Sequence, residues 1–284
     1  MRLRVLVLAC FFAVAFAPAG AARAGTLVAL GDSYSSGEGA PPFDAGTDEP
    51  GVNTCHRSPQ AWPLLVAGAI GMNVLSVACS GARISDVRDQ VARLAATPDV
   101  AVVTVTVGGN DAGFAKVLRT CALHVRCDRR YRGDGDDRLA DEIAFVAARL
   151  TGLYADVREA APEARIVVAD YPRLFPARPR RSLCVALGLI GPAEQRFLNE
   201  ETDFLDEAIG RVASAAGVDV ADVAGAFEGH ELRCGGGREV NALSFGPLGI
   251  SASSFHPNAR GQRALADAVL ASTALAPDGA GLER

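Results

Sequence analysis

Several kinds of chemistry are poorly represented in this chain of 284 residues. It has no Cys-x-x-Cys pair and only four scattered histidines, so a zinc site is disfavoured. It has no basic stripe and a formal net charge of −5, so we expect no nucleic-acid partner. It has no Gly-x-Ser-x-Gly sequence, which disfavours the usual α/β-hydrolase arrangement. Beyond the amino terminus no segment is apolar enough to span a membrane, so we expect no stable membrane anchor.

One long apolar run does occur, and it lies at the amino terminus. Two arginines precede the apolar stretch Val5–Ala17, and Ala22-Arg23-Ala24 has small residues at the spacing that signal peptidase requires. The run is shorter than the roughly 20 apolar residues that a spanning helix needs. We therefore predict a signal peptide over residues 1–24, a secreted protein with one domain over 25–275, and a flexible tail over 276–284.

The cysteine count agrees with export. Cleavage after residue 24 would remove one of seven cysteines and leave six, and an even number in an exported chain predicts three disulfides. Six cysteines allow 15 pairings, and the sequence alone does not choose among them. Pairing of neighbours gives the simplest loops: Cys55–Cys79, Cys121–Cys127 and Cys184–Cys234.

Strand and helix patterns alternate along the chain. Short apolar segments rich in β-branched residues predict five strands, at Thr26–Leu30, Asn73–Val77, Val100–Val107, Arg165–Asp170 and Val218–Val223. Helical spacing of apolar residues predicts helices at Ile84–Ala95, Asp137–Ala160, Pro192–Ala216 and Asn258–Leu270. This alternation predicts an α/β fold with a parallel sheet covered on both faces.

Polar and glycine-rich segments directly follow the first three predicted strands. They are Gly31-Asp32-Ser33, Cys79-Ser80-Gly81 and Gly108-Gly109-Asn110-Asp111. Open parallel sheets bind ligands beyond the carboxyl ends of their strands. We therefore expect these three segments to meet in one site.

The residue types in these segments suit acyl transfer. Ser33 is a candidate nucleophile, although taken alone it is more typical of a helix N-cap. His256 is a candidate base, because its position just before the last predicted helix leaves its ring free to face the site. Gly81 could donate a backbone N–H, and Asn110 its amide, to a developing oxyanion. For either residue alone, a simple turn is the alternative.

Together these residues resemble the four blocks of the SGNH branch of the GDSL hydrolases, and within it the secreted actinobacterial lipases and esterases. The blocks are Gly31–Gly39 (GDSYSSGEG), Ser80-Gly81-Ala82, Gly108–Asp111 (GGND) and His256-Pro257-Asn258, and they span nearly the whole mature chain. The resemblance implies a three-layer, flavodoxin-like fold with a five-stranded parallel sheet. It implies Ser33 as nucleophile and His256 as base. It also implies an oxyanion hole formed by the Ser33 and Gly81 N–H groups and the Asn110 side chain, and it agrees with disulfides between neighbours.

The chain departs from the resembled family at one position. Many members have an aspartate three residues before the histidine, where this chain has Ser253, and no carboxylate lies between Asn241 and Arg260. Some members of the secreted group use a main-chain carbonyl there. We therefore predict that the Ser253 carbonyl orients His256, and that Asp32 and Asp111 brace the loops by hydrogen bonds.

These observations predict a secreted serine esterase or lipase that acts on acyl lipid esters without a metal or organic cofactor, as a monomer. A carbohydrate acetylesterase is one alternative, and a non-catalytic binding module on a hydrolase scaffold is another. The apolar segment Leu183–Ile190 is either a core helix or a wall of an acyl groove, with Leu243–Ile250 as a possible opposite wall.

Overall fold

A computed structural model describes residues 25–132, 138–183, 185–233, 236–247 and 249–275. The predicted signal peptide, the carboxyl-terminal tail and the predicted Cys184–Cys234 pair lie outside these ranges. Within them, no helix is both long and apolar enough to cross a lipid bilayer.

The core of the fold is a five-stranded sheet in which all neighbours are parallel. Its strands are β1 (Thr26–Gly31), β2 (Asn73–Ser76), β3 (Val100–Thr106), β4 (Arg165–Ala169) and β5 (Asp219–Ala221). The spatial order is β2-β1-β3-β4-β5, which is the flavodoxin-like order. A separate antiparallel hairpin follows, formed by β6 (Phe245–Gly246) and β7 (Gly249–Ile250).

Helices connect the strands. They are α1 (Ser33–Ser36), α2 (Trp62–Ala69), α3 (Ile84–Ala95), α4 (Phe114–Leu123), α5 (Asp128–Tyr131), α6 (Arg138–Ala160), α7 (Pro192–Ala215) and α8 (Ala259–Thr273), with 3₁₀ turns at Ala45–Thr47 and Ala186–Gly188. The longer helices pack in two groups, α2 with α8, and α6 with both α3 and α7. The central strands are buried almost throughout, because helices cover both faces of the sheet. The predicted α/β fold with five parallel strands is confirmed.

The register of the central strands fixes where the polar segments emerge. Gly31 at the end of β1 lies beside Thr106 at the end of β3. A Cβ on Gly31 would lie 2.3 Å from the Thr106 carbonyl oxygen, so only glycine permits this approach. The segments that follow β1, β2, β3 and β4 therefore leave the sheet at the same edge, where the candidate site lies.

Candidate active site

The turn between β1 and α1 presents Ser33. Asp32 is the N-cap of α1, and its carboxylate accepts a hydrogen bond from the Tyr34 amide at 3.0 Å. The capping function considered for Ser33 therefore belongs to Asp32. Ser33 is the first helical residue, so its N–H has no acceptor within the helix, and its side chain is nearly buried.

His256 reaches Ser33 from the opposite end of the chain. Its Nε2 lies 2.8 Å from Ser33 Oγ, although 223 residues separate the two. Its Nδ1 lies 3.2 Å from the Ser254 carbonyl oxygen. A carbonyl only accepts hydrogen bonds, so Nδ1 carries the proton and neutral Nε2 is free to accept the Ser33 hydroxyl proton.

The orienting carbonyl belongs to Ser254, so the prediction of Ser253 is wrong by one residue. The Ser253 carbonyl is already used, because it accepts the backbone N–H of His256 at 3.2 Å and closes the turn. Phe255 has a φ of 65°, in the left-handed region, and this turn leaves the Ser254 carbonyl in reach of the imidazole.

The surroundings of His256 favour its neutral form. Burial lowers the pKa of His256 below its usual 6.5. The negative charge of Glu38 and the carbonyl groups of Ala252 and Ser254 act in the opposite direction, toward a higher pKa, but they are outweighed. The imidazole is therefore a base at neutral pH.

Gly81 and Asn110 line the same cavity as Ser33 and His256. Among the described residues, no hydrogen-bond acceptor faces the Gly81 N–H. The Asn110 side-chain amide donates one hydrogen bond to the Ala82 carbonyl at 3.0 Å, which ties the loops after β2 and β3 together. The second Asn110 amide hydrogen remains available to a substrate oxygen.

Tyr171, which sequence reasoning missed, joins two loops of the site. Its hydroxyl donates to Asp32 Oδ2 at 2.5 Å and accepts the Gly109 N–H at 3.1 Å. Thr106 Oγ1 donates to the other Asp32 oxygen at 2.9 Å. Tyr171 follows β4 just as Ser33 follows β1, so its position at the end of a strand is the signal that could have found it.

The two aspartates that adjoin Ser33 and Asn110 act as braces. Burial raises the pKa of Asp32 to about 6, even though three hydrogen bonds favour its ionised form. Asp111 accepts the Ile84 amide at the start of α3 and pairs with Arg149 on α6, both at 2.9 Å. None of these contacts of Asp32 and Asp111 involves the hydroxyl proton of Ser33.

Two disulfides lie within the described residues, Cys55–Cys79 and Cys121–Cys127. The first lies directly before Ser80-Gly81, where the Ser80 amide also donates to the Cys55 carbonyl at 3.1 Å. It therefore anchors the loop that carries Gly81. No group of histidine, cysteine and acidic side chains in the described part of the chain is arranged to hold a metal ion.

The cavity in front of Ser33 has a volume of about 290 Å³. Its walls are largely apolar and include Phe114, Leu118, Leu174, Leu205, Ile250 and Phe255. Ile250 belongs to the segment 243–250, so this segment contributes to the wall of the cavity. Val185, Ala186 and Ile190 are instead buried in the core, whereas Leu183 is exposed, and no described residue of segment 183–190 lines the cavity.

A family model and the sequences of known proteins both relate this chain to lipases. The model of the GDSL-like lipase/acylhydrolase family matches residues 29–264. Lipase 1 of Streptomyces coelicolor is 34% identical over 243 residues, covering 85% of this chain and 84% of that protein. The lipase of Streptomyces rimosus is 34% identical over 263 residues, covering 90% and 89%.

Two solved structures are similar over most of this chain. The phospholipase A1 of Streptomyces albidoflavus has a TM-score of 0.74 and 34% identity, covering 88% of this chain and all of that one. The extracellular lipase of Streptomyces rimosus has a TM-score of 0.69 and 31% identity, with the same coverage.

Proposed function

Because the chain belongs to the GDSL-like lipase/acylhydrolase family, a family of carboxylic ester hydrolases, we propose that it cleaves esters of apolar acyl groups with Ser33 as nucleophile and His256 as base. The observation that carries this proposal is the 2.8 Å contact between His256 Nε2 and Ser33 Oγ in front of an apolar cavity. A hydroxyl is a weak nucleophile until a base takes its proton, and this contact supplies the base.

In the first half of the reaction, Ser33 Oγ forms a bond to the ester carbonyl carbon while its proton passes to His256 Nε2. The carbonyl oxygen becomes an oxyanion, for which the N–H groups of Ser33 and Gly81 and the Asn110 amide are the donors. The bond to the alcohol oxygen then breaks, and the leaving alcohol takes the proton from Nε2.

In the second half, a water molecule attacks the acyl-enzyme and gives a proton to His256. The bond to Ser33 Oγ breaks, Oγ regains its proton from Nε2, and the carboxylic acid leaves. The Ser254 carbonyl holds the ring in the correct tautomer throughout. These steps need only the residues named, and no cofactor takes part.

The shape and chemistry of the cavity support a lipid acyl ester as substrate. A cavity of about 290 Å³ with aromatic and leucine side chains has more apolar space than an acetyl group can fill. The lipases and the phospholipase A1 that this chain resembles support the same choice.

The test is a series of p-nitrophenyl esters from acetyl to decanoyl, hydrolysed by the mature protein. We expect kcat/KM to peak beyond butanoyl, whereas a peak at acetyl would favour a carbohydrate acetylesterase. Ser33→Ala should abolish turnover, and Ser214→Ala, at an exposed serine on α7, should not change it. Near-full activity in Ser33→Ala would contradict the proposal by showing that another group is the nucleophile, and no turnover by the wild type would leave a binding module.

We further propose that residues 1–24 are removed on export and that the mature chain acts outside the cell as a monomer. The amino-terminal pattern, the disulfides and the extracellular Streptomyces rimosus relative support the proposed export. Protein recovered from culture medium should begin at Gly25 and give the mass of one chain by light scattering. An intact amino terminus would contradict the removal of residues 1–24, and the mass of a dimer would contradict the monomer.

A further inference from the structure

A second opening adjoins the catalytic cavity. It is a groove of about 900 Å³, and Ile250, Ser251 and Ala252 line both it and the catalytic cavity. A substrate could therefore extend from one into the other across this short segment.

The groove lies on the histidine side of the site. Its lining includes Gly39 and Asn241, which contact the His256 segment directly. The Asn241 side chain donates to the Gly39 carbonyl at 2.8 Å, and the Asn241 amide donates to the His256 carbonyl at 2.9 Å. A Cβ on Gly39 would lie 2.9 Å from His256 Cβ, so the backbone lining the groove packs against the base itself.

The chemistry of ester cleavage assigns different sides to the two parts of a substrate. The base that removes the Ser33 proton returns it to the alcohol oxygen, so the alcohol must leave on the side of His256. The acyl chain extends instead into the cavity. We propose that the groove is a binding site for the alcohol part of the ester, an inference that rests on the proposed function.

The groove suits a bulky alcohol that has apolar parts. The groove has a volume of about 900 Å³, which is about three times the 290 Å³ of the catalytic cavity. The Phe43 ring, stacked on His56 with centroids 4.8 Å apart, lines it together with Leu243 and Pro247. Charged side chains, Glu38, Asp48 and Arg238, line it as well. The occupant that we propose is a bulky alcohol that carries further acyl chains, such as a diacylglycerol, rather than methanol.

The part of the groove wall that the hairpin contributes includes two glycines, which have no side chain. Gly246 lines the groove and pairs with Gly249 across the hairpin. A Cβ on Gly246 would meet no atom within 4 Å, and its backbone is outside the left-handed region. A larger residue at this position therefore does not strain the hairpin, and because Gly246 is part of the groove lining we expect its side chain to narrow the groove.

The test compares methyl butanoate with tributanoylglycerol, both below their solubility limits, in wild type and Gly246→Leu. The two esters have the same acyl group, so only the alcohol differs. We expect the ratio of kcat/KM for the glyceride to that for the methyl ester to fall about tenfold or more in Gly246→Leu. Gly225→Leu is the matched control, because Gly225 is also exposed with free space at its Cβ position but does not line the groove, and its ratio should stay at the wild-type value.

A second variant, Leu243→Trp, narrows the groove from another wall and covers the case in which Gly246→Leu fails to fold. Circular dichroism and labelling by a small phosphonate ester report folding and an intact site. An unchanged ratio in the folded variants would overturn the alcohol site while the ester hydrolase stands. A wild type that neither cleaves methyl butanoate nor reacts with the phosphonate would overturn the proposed function itself.

Discussion

Ser33 and His256 are held by different means. The Ser33 turn is fixed through Asp32, whose carboxylate receives hydrogen bonds from Thr106 on β3 and from Tyr171 after β4. The His256 turn is held within its own neighbourhood, by the Ser254 carbonyl and by the backbone of Asn241. A buried carboxylate bonded to several elements thus positions the proposed nucleophile. Neutral groups in a nearby loop orient the proposed base, on which Glu38 acts through its charge.

This difference concerns which residue of the pair, Ser33 or His256, a carboxylate supports by hydrogen bonds. In a Ser-His-Asp triad the carboxylate faces the histidine and stabilises imidazolium. Here the carboxylate nearest the nucleophile braces the Ser33 turn, and a carbonyl dipole orients the imidazole. We infer that the nucleophile is rigidly placed and that the base is the more weakly stabilised partner once it is charged.

The largest expected effect comes from removing the base. His256→Ala leaves the Ser33 hydroxyl without a proton acceptor, so kcat should fall by about 10³–10⁶, as for the loss of a member of a catalytic triad. Steady-state hydrolysis of p-nitrophenyl butanoate measures this. His124→Ala, at a histidine outside the site, is the control and should keep full activity. A loss in His256→Ala of less than tenfold would show that another group is the base.

The next effect tests the bracing of the nucleophile. Tyr171→Phe removes the hydroxyl between Asp32 and Gly109, so kcat should fall about tenfold with little change in KM for a short ester. Leaving the buried Gly109 N–H unpaired should also lower the free energy of unfolding by about 1–3 kcal/mol. Urea unfolding and kinetics on one preparation measure both.

Tyr154→Phe is the matched control for that variant. Tyr154 is fully buried, and its hydroxyl has no hydrogen-bond partner among the described residues. Its removal should therefore leave stability and kcat nearly unchanged. Equal effects of the two variants would show that Tyr171 contributes packing alone and does not position the site.

A smaller effect is expected on the histidine side. The Ser254 hydroxyl accepts the Ser244 amide at 3.0 Å and donates to the Ser244 carbonyl at 3.1 Å, so it steadies the turn whose carbonyl orients His256. Ser254→Ala keeps the carbonyl but loosens the turn, and kcat should fall by a few-fold, about 1 kcal/mol. Ser253→Ala should have less effect, because its hydroxyl contacts only Ser251 among the described residues. The reverse order would contradict the assignment to Ser254.

The smallest effect concerns pH. Protonated His256 cannot act as a base, and burial lowers its pKa, so the acid limb of kcat/KM should lie below pH 6.5. Glu38 is buried, and its negative charge raises the pKa of His256. Glu38→Gln should therefore move the acid limb to lower pH. A pH–rate profile of both proteins measures this, and a shift to higher pH would exclude a direct charge effect.

The regular parts of the fold could be predicted from local pattern. β-Branched runs such as Val100–Thr106 and the helical spacing of Ile84–Ala95 gave elements with bounds correct to within a few residues. Four helices were missed, and two of these, Ser33–Ser36 and Asp128–Tyr131, are only four residues long. Trp62–Ala69 is almost wholly apolar and so has no amphipathic period, and Phe114–Leu123 is short and follows a glycine-rich loop.

The candidate site was predictable where a sequence block carries it and not where contacts between distant segments decide it. Ser33 and His256 lie in short motifs. Tyr171 is in no motif, and only the parallel pairing of β1, β3 and β4 brings it to Asp32. The choice between the Ser253 and Ser254 carbonyls depends on the left-handed backbone at Phe255, a non-glycine residue that gives no such signal in the sequence.

The most direct test of the Ser33–His256 pair is covalent labelling of the mature protein with a fluorophosphonate ester, followed by peptide mass spectrometry. We expect one adduct per chain, on the peptide that contains Ser33, formed rapidly by the wild type and far more slowly by His256→Ala. An adduct on another serine, or equal labelling rates in the two proteins, would contradict it.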